Sequence, residues 1–208
     1  MRHLAEAWIR TASRVGARGD VAGAGADLLA RYAAADRAYH DLRHLDEVLR
    51  NVDELADVAR DADAVRLAAW FHDAVYDATA QDNEERSAEL AEKVLARLRV
   101  DDSRVAEVAR LVRATTTHEA AADDADGAVL CDADLAILAS GPGRYDEYTA
   151  AVRAEYAHVS DADFASGRAA VLRALLAHEP LFRTTTARTE WEAAARANVT
   201  AELARLDG

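Results

Sequence analysis

Apolar side chains recur every three or four residues along most of the chain, and this spacing is typical of amphipathic helices. The clearest stripe consists of Leu42, Leu45, Val48, Leu49, Val52 and Leu55. No long alternation of apolar and polar residues indicates a strand. The pattern predicts an all-α bundle of about nine or ten helices without substantial sheet. These helices are expected at roughly 5–14, 26–35, 39–55, 62–73, from 82, from 103, 129–138, 144–158, 161–178 and 189–206.

Polar residues near the predicted helix ends indicate where some helices begin. Asp82 and Glu85 fit a capping box, in which two side chains satisfy backbone N–H groups in the first turn. Thr189 and Glu192 fit a second capping box. Four of the nine glycines fall within residues 16–25, and this concentration predicts a loop between the first two helices.

The composition is that of a globular protein. The chain has 208 residues, of which 51% are apolar, and it contains no clear repeat, low-complexity tract or domain linker. We therefore expect one all-helical domain over 1–208. No apolar run approaches the length needed to cross a bilayer, and the first residues lack the apolar core of a secretory signal. These features predict a cytoplasmic protein without membrane contact.

Charge and cysteine content narrow the expected chemistry. The formal net charge of −13 repels a phosphate backbone, so polymeric nucleic acid is not an expected partner. A small phosphorylated substrate is compatible with this charge, because a bound cation reverses the local sign. Cys131 is the only cysteine, which excludes an internal disulfide and a thiolate metal cage. Any metal ion must then be held by imidazole and carboxylate groups.

Two histidines lie four residues apart in the segment Tyr39-His40-Asp41-Leu42-Arg43-His44. On a continuous helix, that spacing places both imidazoles on one face, one turn apart. The pair alone favours an interpretation as ordinary core or surface histidines of an amphipathic helix.

Two further segments place polar groups within apolar helices. His72-Asp73 follows the apolar run Ala68-Ala69-Trp70-Phe71, and Asp132 and Asp134 interrupt the apolar stretch 129–138. Buried polar groups are costly without partners, and a metal ion would be such a partner. Alternatively, His72 is favoured at a helix C-terminus by the helix dipole, and Asp73 begins a turn. Combined with the histidine pair, these segments predict a site of two histidines and two carboxylates, as helical bundles commonly build.

The order His…His-Asp…Asp resembles the signature of the HD superfamily of metal-dependent phosphohydrolases, over roughly Tyr39 to Leu138. The segment 39–48 is similar to the Tyr-His-Asn-x-x-His-x-x-Asp-Val pattern of cyclic-nucleotide phosphodiesterases, with Asp41 in the asparagine position. Residues 71–77, followed by 82–87, resemble a bacterial group of predicted HD phosphohydrolases. The resemblance implies an HD-domain-like helical bundle, with a metal-site core at about 36–140 and C-terminal helices packed on it.

The resemblance also implies roles for individual residues. The metal ligands would be His44, His72, Asp73 and Asp134, and the ion one divalent cation: manganese, iron, cobalt, nickel, magnesium or zinc. Asp134 is favoured over Asp132 by the segment Ala133-Asp134-Leu135. The two aspartates lie about 200° apart around a helix, so they cannot both point inward equally. His40 would be the general acid, and Asp73 would orient or deprotonate water.

Two other residues have more open roles. His118 follows Thr115-Thr116-Thr117 and would bind substrate phosphate, bind a second metal or simply line the cleft. Arg43 would offer its charge to a phosphate or lie on a solvated helix face. Asn83, Glu84 and Glu85 are read as helix-capping groups that also lie near the His-Asp turn.

The sequence therefore predicts a metal-dependent phosphohydrolase that cleaves a phosphate ester, for example in a nucleotide, with a metal-activated water. The chain is also compatible with a homodimer. Two alternatives remain at this stage. One is an HD-fold di-iron oxygenase, which needs about six protein ligands by analogy with dinuclear sites. The other is a non-catalytic sensor module that binds a metal or ligand without turnover.

Overall fold

The computed structural model describes residues 1–208 and contains eleven α-helices and no strand, which confirms the all-α prediction. Short 3-10 helices span Ala56–Val58 and Ala136–Ala139. None of the helices is both long enough and apolar enough to cross a membrane. The helices are α1 (Arg2–Arg14), α2 (Val21–Tyr32), α3 (Leu42–Glu54), α4 (Ala62–Phe71), α5 (Asn83–Arg97), α6 (Asp102–Ala114), α7 (Ala125–Leu135), α8 (Pro142–Glu155), α9 (Asp161–Ala177), α10 (Thr185–Glu190) and α11 (Glu192–Leu206).

Helix α3 begins later than predicted, and this changes the position of His40. The Asp41 side chain accepts hydrogen bonds from the backbone N–H groups of Arg43 and His44, so Asp41 is the N-cap. An N-cap residue has non-helical backbone angles. His40 therefore precedes the helix, and the expectation that His40 and His44 share a helical face is wrong.

The predicted loop over 16–25 is too long. Helix α2 already begins at Val21, because the Asp20 side chain accepts a hydrogen bond from the N–H of Gly23. Only Gly16 and Gly19 lie in the connecting turn, where their φ angles are +71° and +89°. Such angles are accessible to glycine at little steric cost.

Both predicted capping boxes are wrong. Asp82 is the N-cap of α5, but its side chain makes no capping hydrogen bond, and Glu85 forms an ion pair with Arg113 instead. Thr189 lies inside α10, which is capped by Thr184. The predicted helix 189–206 is thus divided in two, with α11 beginning after Trp191.

Apolar side chains form two clusters. The larger one has 34 residues from α1 to α7 and the connections between these helices, and it reaches back to Leu4, beyond the predicted metal-site core. The smaller one has 11 residues, mostly from α8 to α11, and includes Tyr39 and Leu138. Trp191 packs against both clusters. Within the larger cluster, α3, α4 and α7 pack against one another, and they bring together the segments that contain the predicted metal ligands.

Candidate metal centre

Three packed helices present the predicted ligands at one point. His44 lies in the first turn of α3, and His72 is the residue that follows α4. Asp134 lies near the end of α7. Both imidazoles are buried, with only 2% of His44 and 1% of His72 exposed. Apolar packing of the three helices therefore brings together polar groups that lie far apart along the chain.

The donor atoms are spaced as ligands of one ion would be. His44 Nε2 lies 3.1 Å from His72 Nε2, 3.2 Å from Asp73 Oδ2 and 3.2 Å from Asp134 Oδ1. His72 Nε2 lies 3.0 Å from Asp73 Oδ2 and 3.6 Å from Asp134 Oδ1. Ligands at right angles around an ion at about 2.1 Å lie about 3.0 Å apart, and tetrahedral ligands lie about 3.4 Å apart.

One group within this cluster has three members whose donor atoms are mutually close. Donor atoms of His44, His72 and Asp134 all lie within 4.8 Å of one another, a separation that one ion can bridge. Asp73 approaches both imidazoles closely but falls outside this mutual group. The site is thus compatible with metal binding by three residues, with Asp73 adjacent.

The His72 ring is held in the orientation that a metal ligand needs. Its Nδ1 lies 2.9 Å from the carbonyl oxygen of Ala69. Because a carbonyl can only accept, Nδ1 is the donor, and Nε2 of the neutral ring then carries a lone pair directed at the cluster. A backbone carbonyl behind the imidazole is a common support for metal-binding histidines.

The negative charges of the cluster also favour positive charge at the site. Burial raises the pKa of Asp73 and Asp134, but the charge of His72 and the further contacts of neighbouring histidines together hold both pKa values well below the ordinary range. Burial lowers the pKa of His44, but hydrogen bonds to Asp134 and Asp73 raise it to about 9. Two ionised carboxylates in a buried site need positive partners. Protons on the imidazoles or a divalent cation can supply that charge, so the donor set fits a cation.

The two aspartates of α7 point to opposite sides of the helix and have different partners. The Asp132 carboxylate is 1% exposed and accepts hydrogen bonds from the backbone N–H groups of Arg183, at 2.8 Å, and Thr184, at 2.6 Å. Asp134 points to the opposite side, toward the histidines. Asp132 thus anchors the segment before α10, while Asp134 joins the cluster.

His40 faces the same cleft but is held by a residue that the sequence did not indicate. Its Nδ1 lies 2.7 Å from Oε2 of Glu155, and its ring stacks on Tyr76 with centroids 4.1 Å apart. The His40 and His44 ring centroids lie 5.7 Å apart. Glu155 is the last residue of α8, and nothing in its local sequence distinguishes it from other helical glutamates.

Arg37 is a second residue that the sequence did not indicate. Its guanidinium donates hydrogen bonds to the backbone carbonyls of His40, Asp73 and Ala74, at 3.0, 2.6 and 3.2 Å. It therefore ties the segment before α3 to the turn after α4. A lone arginine in a loop carries no pattern from which such a role could be predicted.

The two remaining candidate residues, His118 and Arg43, have different partners. His118 Nε2 lies 2.9 Å from Asp134 Oδ2, on the oxygen that faces away from His44. Arg43 forms ion pairs with Glu47 and Glu147, and 54% of its side chain is exposed, as expected for a solvated face. His118 is therefore part of the site, whereas Arg43 has surface carboxylates as its partners.

Two cavities adjoin Asp134. The larger has a volume of about 630 Å³ and is also lined by His40, His118 and Glu84. The smaller has a volume of about 260 Å³ and is also lined by His44. Asp134 therefore borders both cavities, and His40 and His118 both border the larger space.

Protein-family models, curated protein sequences and solved structures were compared with this chain, and none of them matches it. The resemblance to the HD pattern accordingly depends on the order of His44, His72-Asp73 and Asp134 along the chain. The fold brings these residues into one cluster beside a cleft, and this convergence is the structural basis for a functional hypothesis.

Proposed function

We propose that the chain is a metal-dependent phosphohydrolase that cleaves the ester of a small phosphorylated substrate with a water molecule. The observation that supports this function is the buried cluster of two imidazoles and two carboxylates at the edge of an open cleft. The order of these residues resembles the HD signature, and an HD-domain-like bundle is part of the same proposal.

His44, His72, Asp73 and Asp134 would hold one divalent cation. Two imidazole nitrogens and two carboxylate oxygens suit manganese, iron, cobalt, nickel or zinc, and they suit magnesium least, since it prefers oxygen ligands. When bound, such an ion lowers the pKa of water and neutralises charge on a phosphoryl group. Five protein donors, counting His118, fall short of the six expected for the di-iron oxygenase alternative.

Two side chains would move the protons. Asp73 has 15% of its side chain exposed, so it can orient the attacking water and accept its proton. Water oxygen then forms a bond to phosphorus while the bond from phosphorus to the ester oxygen breaks. His40 donates a proton to that leaving oxygen from Nε2, because Nδ1 faces Glu155. His40 thus serves as general acid from outside the cluster.

His118 would act next to Asp134. Its Nε2 contacts the Asp134 carboxylate, so only Nδ1 is left for a phosphoryl oxygen. We therefore assign His118 first to orienting Asp134 and second to contacting the substrate. Arg43 has no part in this mechanism, since its guanidinium pairs with Glu47 and Glu147.

The test is metal analysis of the purified protein, followed by assays of phosphate release from a panel of phosphomonoesters and phosphodiesters with each candidate cation. We expect about one ion per chain and cation-dependent hydrolysis, both lost in His72→Ala. Absence of bound metal would overturn the proposed site. Stoichiometric metal without hydrolysis of any ester would overturn the proposed activity and favour the sensor alternative.

A further inference from the structure

We propose that the substrate carries a single phosphoryl group on a bulky, uncharged and largely apolar organic group, which occupies the larger cavity. This inference rests on the proposed phosphohydrolase function and specifies its substrate class. It comes from the residues that line the two cavities, because the larger cavity is mostly apolar and neither cavity has an unpaired arginine or lysine.

The larger cavity has the size and surface of a pocket for an apolar group. Its volume of about 630 Å³ is in the range of small-molecule sites. His40 and His118 border it near the cluster, and the rest of the lining is mostly aromatic and aliphatic. These apolar members include Tyr39, Tyr148, Tyr156, Phe164, Leu138 and Val152. A phosphoryl group at the cluster would therefore place its organic substituent among aromatic rings.

This cavity has no free positive charge for a second phosphoryl group. Arg168 is the only arginine or lysine in its lining, and its guanidinium is paired with Glu202 at 2.8 Å. Arg168 also donates a hydrogen bond to the hydroxyl of Tyr148. Glu84 and Asp163 add negative charge to the lining. Diphosphates and triphosphates need several cationic groups, and these carboxylates would repel them.

The smaller cavity does not supply that charge either. Arg50 and Arg144 line it, but Arg50 is paired with Asp46 and Arg144 with Glu47. Glu54 adds a further carboxylate. Neither side of the cluster therefore offers an unpaired arginine or lysine, and a single phosphoryl group is all that the site would neutralise.

Gly167 allows the larger cavity to be filled without changing the cluster. It lies on α9 on the same face as Phe164 and Val171, which also line the cavity. A Cβ atom added at Gly167 would meet no atom within 4 Å. Gly167→Phe is therefore expected to place a ring in the cavity. Gly143 is a matched control, because it is also helical, has equally open space at Cβ and lines neither cavity.

The experiment compares naphthylethyl phosphate with ethyl phosphate. Both esters release primary alcohols of similar acidity, so a difference in kcat/KM reports binding of the ring. For the wild-type protein with its cation, we expect a preference of roughly hundredfold for the naphthylethyl ester. Gly167→Phe should lower kcat/KM for that ester about tenfold and leave ethyl phosphate unchanged. Gly143→Phe should change neither value.

Equal kcat/KM for the two esters, or no effect of Gly167→Phe, would overturn the inference. Faster hydrolysis of a nucleoside triphosphate at the same free cation concentration would also overturn it. If no ester is hydrolysed, the proposed function fails, and binding of the unreactive naphthylethyl phosphonate to the metal-loaded protein tests the cavity separately. Binding that Gly167→Phe weakens would support the inference, and absence of binding would overturn it.

Discussion

His40 Nδ1 lies 2.7 Å from Oε2 of Glu155, a residue 115 positions further along the chain. The Glu155 side chain is fully buried. Its other oxygen accepts the backbone N–H groups of Ala38, Tyr39 and His40. Because carboxylate oxygens only accept, Nδ1 of His40 is the donor, and Nε2 is the nitrogen available to the cleft. The C-terminal helices thus orient a histidine that lies beside the proposed metal-binding cluster.

Replacement of His40 by alanine should separate proton donation from metal binding. In the proposed reaction, His40 protonates the leaving oxygen and holds no metal, so His40→Ala should keep its metal and lose about a hundredfold or more in turnover. His44→Ala, the comparison variant, should lose metal and activity together. Paired metal analysis and kinetics would measure both. Metal loss from His40→Ala would mean that the roles of the two histidines are exchanged, and full activity would remove His40 from the mechanism.

Glu155 should make the stability of the protein depend on pH in the acidic range. Burial raises its pKa, but the hydrogen bond and charge of His40 and the backbone N–H groups lower it from 4.5 to about 2. A carboxylate whose pKa is lowered by folding contributes stability that is complete above the unfolded pKa and is lost as pH falls through the folded one. The difference corresponds to about 3 kcal/mol, lost between about pH 4.5 and pH 2.

Denaturant unfolding from pH 6 downward would test this contribution by comparing the wild type with Glu155→Gln. The variant should be less stable at neutral pH, and the difference should shrink as the pH falls. Glu147→Gln is a control on the same helix, because Glu147 is 60% exposed and its pair with Arg43 should contribute little. A constant difference between the wild type and Glu155→Gln across this pH range would contradict the assignment.

The convergence of the proposed metal ligands could be predicted from sequence because two of the ligand segments place polar groups at the end of or within apolar stretches, and because the order of these residues resembles the HD pattern. His72-Asp73 follows one apolar run and Asp134 lies within another, and buried polar groups in such places need polar partners. The position of His40 could not be predicted in the same way. The spacing of His40 and His44 suggested one helix, but the Asp41 side chain ends that pattern by capping α3. A local hydrogen bond to the backbone thus overrode helical periodicity.

Glu155 and Arg37 could not be predicted because their roles depend on tertiary contacts. Glu155 reaches His40 from a helix that belongs mainly to the smaller apolar cluster. Arg37 bonds backbone carbonyls near Asp73, and backbone carbonyls carry no sequence signal. The sequence therefore indicated the proposed metal ligands, whose residue types are distinctive, and missed the groups that hold His40 and the backbone of Asp73 in place.

His118 should strengthen metal binding through Asp134. Its Nε2 contacts Asp134 Oδ2 at 2.9 Å, so the imidazole supports the oxygen that is not directed at His44. Loss of such a supporting partner typically costs ten- to a hundredfold in metal affinity, about the change expected for His118→Ala. Competition with a chromophoric chelator would measure it. Unchanged affinity together with a raised KM would instead assign His118 to the substrate phosphate.

The two aspartates of α7 should respond oppositely to the same substitution. Asp134→Asn should lose the metal, since Asp134 approaches both imidazoles, while the fold without metal should remain. Asp132→Asn should retain the metal but unfold more easily. In that variant, an amide replaces a carboxylate that accepts the N–H groups of Arg183 and Thr184 through both oxygens. One of these buried N–H groups then faces an NH₂ group, at a cost of about 1–3 kcal/mol.

Metal analysis and thermal unfolding of the two variants, each in excess chelator and in excess cation, would separate these effects. Cation should raise the Tm of the wild type and of Asp132→Asn, because an ion that binds only the folded state stabilises it. It should leave the Tm of Asp134→Asn unchanged. If Asp132→Asn were the variant that loses the metal, Asp132 would turn toward the histidines when the ion binds. The segment before α10 would then have to release Asp132, because its N–H groups now hold that carboxylate.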